Sequence, residues 1–164
     1  MPSRRKRLQD YDKKILGDQR ICEKQPAEYP IGWYFARFSE DLKPGEVVPV
    51  EFMSRQFALF RGKTGKVGMI DSRCCHMGAD LARSGQVSGD RLACGYHHWE
   101  FESNGHCAAI PRVPDDSISP RAKQLSVPLV ERAGSIYFWY GHKPAREFID
   151  LSYLDSSNFL NIKG

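Results

Sequence analysis

The chain has little of what a membrane-spanning, secreted or nucleic-acid-binding protein is built from. None of its uncharged apolar stretches approaches the ~20 residues that a bilayer-spanning helix needs. The opening MPSRRKRLQDYDKK has no apolar core of the kind a secretory leader carries. The expectation is a cytoplasmic protein with no membrane attachment. Cys22, Cys74, Cys75, Cys94 and Cys107 are odd in number and come without a secretion signal, so a disulfide framework explains them poorly and metal or redox chemistry rises. The net charge of +4 is matched by Arg4, Arg5, Lys6 and Arg7 alone. The rest is close to neutral and offers no basic surface for nucleic acid. No internal repeat or low-complexity tract stands out.

What is present is a soluble globular composition, 41% hydrophobic and 12% aromatic over 164 residues, enough for one domain with a buried core. Leu8, Tyr11 and Ile15, spaced by three and four, predict a short amphipathic helix stopped at Gly17 within an N-terminal arm, residues 1–28. From Tyr29 the character changes to short β-rich runs, at 32–38, 46–52, 56–61, 66–71, 91–94, 98–102, 106–110, 126–131 and 135–140. Ser103-Asn104-Gly105 and Arg132-Ala133-Gly134 supply hairpin turns. Nine short strands with no interleaved helix read as a mainly β domain over 29–142, an antiparallel sandwich or barrel. Residues 111–125 hold three prolines and read as an irregular covering loop. The tail 143–164 carries scattered apolar residues, among them Phe148, Leu151 and Phe159, that need a surface to pack on.

Two short elements carry the chemistry. Cys74-Cys75-His76 (CxH) and Cys94-Gly95-Tyr96-His97 (CxxH) each supply one thiolate and one imidazole, separated by the seventeen residues from Met77 to Ala93. A Rieske-type [2Fe–2S] cluster uses such a set, two Cys on one iron and two His on the other. Cys74, His76, Cys94 and His97 are therefore the expected ligands, with the histidine-bound iron outward and the cluster clamping two loop tips. Neutral imidazoles in place of thiolates make an added electron less costly, which raises the potential above that of an all-thiolate centre. Zinc is the competitor, since two Cys and two His also satisfy a tetrahedral ion, although the one-residue gap of CxH suits a zinc knuckle less well. Cys75 and His98 neighbour the expected ligands but fall outside the spacing. Cys22 and Cys107 have no partner pattern.

Over Tyr29 to Gly141 the chain resembles the Rieske domain of the Rieske non-heme iron oxygenases, through YPIGWY, FALFR, VGMID, CCHMGADL, GQVSGDRLACGYHHWEF, SNGHCAAIP and PLVERAGSIYFWYG. With Met77 in the CHMGADL block it is more similar to the monooxygenase branch. The resemblance implies a β fold with a cluster-binding subdomain. It implies electron entry from a ferredoxin or a flavin, NAD(P)H-dependent reductase. It implies electron delivery to a mononuclear iron in a catalytic domain or subunit, in the family often on a neighbouring subunit of a homotrimer. One departure is clear: where the family reads CxYHGW, this chain has His98 in place of the glycine. Compared with the Rieske proteins of cytochrome bc complexes, Ala79 and Tyr96 stand where a cysteine pair would form a disulfide, and Trp99 stands where a serine would donate to the cluster. Fewer hydrogen bonds leave the reduced cluster less stabilised, so the potential is expected at the low end of the Rieske range, about −150 mV.

The mononuclear iron site, two histidines and a carboxylate, is not legible in this chain, where only His98, His106 and His142 remain unassigned. The expectation is an electron-transfer domain whose tail from residue 143 begins a catalytic domain lying elsewhere, with no substrate catalysis of its own. A free-standing Rieske ferredoxin and a zinc-stabilised interaction module are the other readings.

Overall fold

The computed structural model describes residues 30–141 and 147–149. The arm over 1–28, with its expected helix, lies outside the described residues, as does all of the tail except Glu147, Phe148 and Ile149.

Among the described residues, ten strands form three antiparallel sheets. β1 (Gly32–Phe38) pairs with β10 (Ser135–Tyr140), and β10 with β9 (Leu129–Arg132). β2 (Val47–Phe52), β3 (Arg55–Arg61) and β4 (Val67–Asp71) make the second sheet. β5 (Gln86–Ser88), β6 (Arg91–Ala93), β7 (Glu100–Phe101) and β8 (Cys107–Ala109) make the third. Among the described residues no helix is long and apolar enough to cross a membrane.

The strand β3 shows why the fold has three layers. Alternate side chains of a strand point to opposite faces, yet Phe57, Ala58, Leu59 and Phe60 are all buried. Phe57 and Leu59 join Met69 of β4 and Ile136 and Phe138 of β10 in one core. Ala58 and Phe60 join Ile70, Leu92, Phe101 and Cys107 in a second core, which also holds Cys74 and Cys94. The uninterrupted apolar run FALF is the signature of a strand covered on both faces. Arg61 closes the same strand: its guanidinium reaches both carboxylate oxygens of Glu131, at 2.7 and 3.1 Å, and donates to the carbonyls of Leu42, Gly65 and Ser39. It ties β3 to β9.

The expected strands are present with ends displaced by at most three residues, and a further strand and a helical turn were not anticipated. The run expected at 98–102 is paired only from Glu100, because the N–H of Cys94 takes the carbonyl of Trp99 and closes residues 94–99 into a loop. The strand β5 and the single helical turn α1 (Leu81–Ser84) are too short for any periodicity to betray. Asp80 caps α1, its carboxylate accepting from the N–H groups of Ala82 and Arg83. The turn Ala133-Gly134 is tight as expected, with φ of 49° and 68°. Met53-Ser54 repeats that geometry between β2 and β3, at 51° and 60°, without a residue type that announces it.

Candidate metal centre

The two cysteine–histidine segments are copies of one loop displaced by twenty residues. In the first, the Cys74 N–H donates to the carbonyl of Ala79 at 2.8 Å, and the Gly78 N–H donates to the carbonyl of Cys74 at 2.8 Å. In the second, Cys94 donates to Trp99 and His98 donates to Cys94, both at 2.9 Å. The flanks repeat as well, since Arg73 bridges Asp80 as Ala93 pairs with Glu100. A repeat invisible in the residue types is plain in the backbone.

The symmetry breaks at the imidazoles. His76 is two residues after its cysteine and His97 three after its own. The complementary positions hold Met77 and Tyr96, with 66% and 61% of their surfaces exposed.

The four expected ligands come together as two like pairs. Cys74 and Cys94 are both buried, each 2% exposed, in the same core, near enough that the charge of one bears on the other. The rings of His76 and His97 stand 4.7 Å apart at 69° on the outer side. Burial, with Cys94 beside it, pushes the Cys74 thiol up to about 11, while the backbone N–H groups of His76 and Met77 point at its sulfur and act the other way. A buried sulfur that already receives two N–H groups lacks only a cation to hold it as thiolate. Among the described residues, no three His, Cys, Asp or Glu side chains converge on a single ion position. Donors sorted into a thiol pair and an imidazole pair fit a centre of two metal ions, one pair to each, better than one tetrahedral ion.

The neighbours of the ligands face elsewhere. Cys75 packs against the core, with burial pushing its thiol up to about 12 and Cys107 and the Lys123 backbone near it. His98 is exposed, with φ at 57°. Cys107 is buried on β8. Cys74, Cys75, Cys94 and Cys107 are all free thiols.

Supports outside the motif hold the loops. The α1 turn presses on the second loop so closely that a Cβ on Gly95 would stand 2.0 Å from the carbonyl oxygen of Ser84. Ser72 donates its hydroxyl to Asp80, joining the first loop's entry to the cap of α1. Gln124, 3% exposed, donates from Nε2 to the carbonyl of Arg73 at 3.2 Å, so the covering loop 111–125 braces the first loop from its other side. Gln124 had no sequence signal; Asp80 had one, as a capping residue before a short apolar step. Trp99 of the second loop lies flat on His76 of the first, 4.4 Å between centroids and 8° between planes, and Tyr96 tilts against His97 at 3.9 Å.

Comparison with known proteins places this geometry. Residues 32–128 match the model of the Rieske [2Fe-2S] domain. The chain is 35% identical over 144 residues to cholesterol 7-desaturase nvd 1 of Ciona intestinalis, covering 86% of this chain and 30% of that protein. It is 33% identical over 117 residues to the oxygenase component of 3-ketosteroid-9-alpha-monooxygenase from Rhodococcus rhodochrous, covering 70% and 28%. The crystal structure of dicamba monooxygenase superposes with a TM-score of 0.62 at 29% identity, over 68% of this chain and 34% of that one. The chain spans about a third of the length of the proteins it matches.

Proposed function

Because the chain belongs to the Rieske [2Fe–2S] domain family, we propose that it is the electron-entry domain of a Rieske-type oxygenase, with Cys74, His76, Cys94 and His97 as the ligands of its cluster. The observation that carries the reading is the sorting of donors: two buried thiols in one core and two less buried imidazoles 4.7 Å apart. When bound, the cluster supplies one-electron reduction and reoxidation.

The residues of the chain do the rest. Cys74 and Cys94 bind as thiolates on the buried side, and the N–H groups of His76 and Met77 take part of the sulfur charge. His76 and His97 bind through one ring nitrogen each and leave the other to donate to a partner's acceptor, which makes the imidazole edge the exit for the electron. The core around Phe60, Leu81, Leu92 and Phe101 keeps water from the thiol side. The donor is a ferredoxin or a flavin reductase drawing on NAD(P)H, and the acceptor is a mononuclear iron in an oxygenase domain or subunit, within a homotrimer as in the family. The proposed setting is cytoplasmic.

Purified protein reconstituted with iron and sulfide tests the reading. The expected product is red-brown, carries two irons and two sulfides per chain, and gives a Rieske EPR signal on reduction. His76→Ala is expected to abolish that signal. A preparation that takes up zinc alone and stays colourless overturns the proposal, as does a His76→Ala variant with an unchanged spectrum. Size-exclusion chromatography of the loaded chain separates the assemblies, a trimer supporting the oxygenase form and a stable monomer the free carrier.

A further inference from the structure

The imidazole pair is supported unequally. Tyr96 touches His97 from the adjacent position in the same loop, at a tilt of 44°, with 61% of its surface exposed. Trp99 reaches across. It belongs to the second loop, yet its indole covers the imidazole of the first, nearly parallel at 8°. Its own backbone is fixed, because its carbonyl accepts the Cys94 N–H that closes the second loop, and its side chain packs against the buried core. The corresponding residue of the first loop is Ala79, which closes its loop through the same hydrogen bond but has no ring to lay on His97. The repeat therefore holds one flat interloop stack on an imidazole where its symmetry would permit two.

We infer that Trp99 is the positioning residue for His76: its indole fixes the plane of that imidazole, so that the outer ligand of the first loop is held by the second loop. Three physical consequences follow. A flat stack leaves the imidazole free to slide but resists tilting, since tilting parts the two faces and loses dispersion contact. A ligand held in plane dissociates less readily, because its rotational freedom is already spent. One face of the His76 ring is closed to water while the edge remains open for the electron. His97 has no parallel ring laid on it from the other loop: its ring neighbours are the tilted Tyr96 of its own loop and, at 69°, His76 itself.

The inference rests on the two-iron reading, and the experiment separates the two. The full-length chain is loaded with iron and sulfide as native, Trp99→Phe and Trp99→Leu protein. The readouts are the two histidine nitrogen hyperfine couplings in pulsed EPR of the reduced state and the rate of bleaching by an excess of iron chelator. Native protein without a Rieske spectrum defeats the functional reading itself. With native protein loaded, the expectation is that Trp99→Leu shifts one of the two nitrogen couplings, leaves the other, and bleaches about tenfold faster, while Trp99→Phe stays within about twofold of native. Trp99→Leu with both couplings and the bleaching rate at native values overturns the inference. So does a Trp99→Phe variant as impaired as Trp99→Leu, because packing volume, and not a ring face on His76, would then be the cause. If Trp99→Leu takes up no cluster, Trp99→Phe decides alone: one displaced coupling or none, with bleaching within about twofold of native, supports the stack, and two displaced couplings overturn it.

Discussion

His98 does for the second loop what Gly78 does for the first, each donating its N–H to the carbonyl of the cysteine four residues before it, at 2.9 and 2.8 Å. Both do so in the left-handed region, with φ of 57° for His98 and 79° for Gly78. The glycine that the family prefers at the histidine's position thus has a backbone reason. A side chain there leans on the following carbonyl, a cost of roughly 1–2 kcal/mol that glycine escapes.

His98→Gly is expected to stabilise the protein by about 0.5–1 kcal/mol, the relief of strain being partly offset by the greater freedom of glycine in the unfolded chain. Thermal unfolding is the measurement, and a rise of about 1–4 °C is expected for a domain of this size. Cluster content is expected to stay at native values, since His97, not His98, is the proposed ligand. Loss of the cluster in this variant would move the ligand to His98.

Gly95→Ala is expected to act on the metal end alone. Its Cβ would meet the Ser84 carbonyl at 2.0 Å, and backbone on both sides leaves the loop no course but to move. Iron per chain after reconstitution is expected to fall by half or more, with the far sandwich folded and the far-UV circular dichroism retained. Full loading of this variant would mean that α1 moves aside for the added methyl group.

The reduction potential is expected near −150 mV, at the low end of the Rieske range. Ala79 and Trp99, whose carbonyls close the two loops, bring no hydroxyl or thiol to the sulfur atoms. Spectroscopic redox titration reads the midpoint directly. A value well above 0 mV would demand donors to the sulfur atoms that neither Ala79 nor Trp99 supplies as a hydroxyl or thiol.

Acid should weaken the Arg61–Glu131 pair. Its carboxyl is held below the ordinary 4.5 chiefly by the hydrogen bonds from Arg61. A carboxylate with a lowered folded value adds stability that is present above its unfolded value and is lost as the pH falls through the folded one. Glu131→Gln is therefore expected to cost about 1 kcal/mol at pH 7, a figure already reduced for the partial exposure of the pair. The gap from native is expected to close as the pH drops below 4.5. Urea unfolding at a series of pH values checks the sign.

The strands were legible because their burial writes itself into residue order. FALF and SIYFWY were both readable as strands, but the partner of β10 was not: it pairs with β1, from Gly32 and Tyr140 to Phe38 and Ser135. Cys74, His76, Cys94 and His97 were picked out by spacing alone, and the structure sets them as two like pairs, the thiols in one core and the imidazoles 4.7 Å apart. The turn at Met53-Ser54 was hidden, because left-handed geometry there is imposed by the paired strands and not by residue type. The loop repeat was hidden too, since it consists of backbone hydrogen bonds, and those leave no trace in side chains except where Gly78 stands. Gln124 was out of reach of any sequence signal: it braces a residue 51 positions away.

Since Phe57 and Leu59 point one way from β3 while Ala58 and Phe60 point the other, the metal end and the distal sandwich share a single plank. Neither half has a floor of its own. Amide hydrogens along that strand should exchange only when the whole domain opens, and whatever grips the loops, a metal centre included, should slow exchange as far away as Ile136.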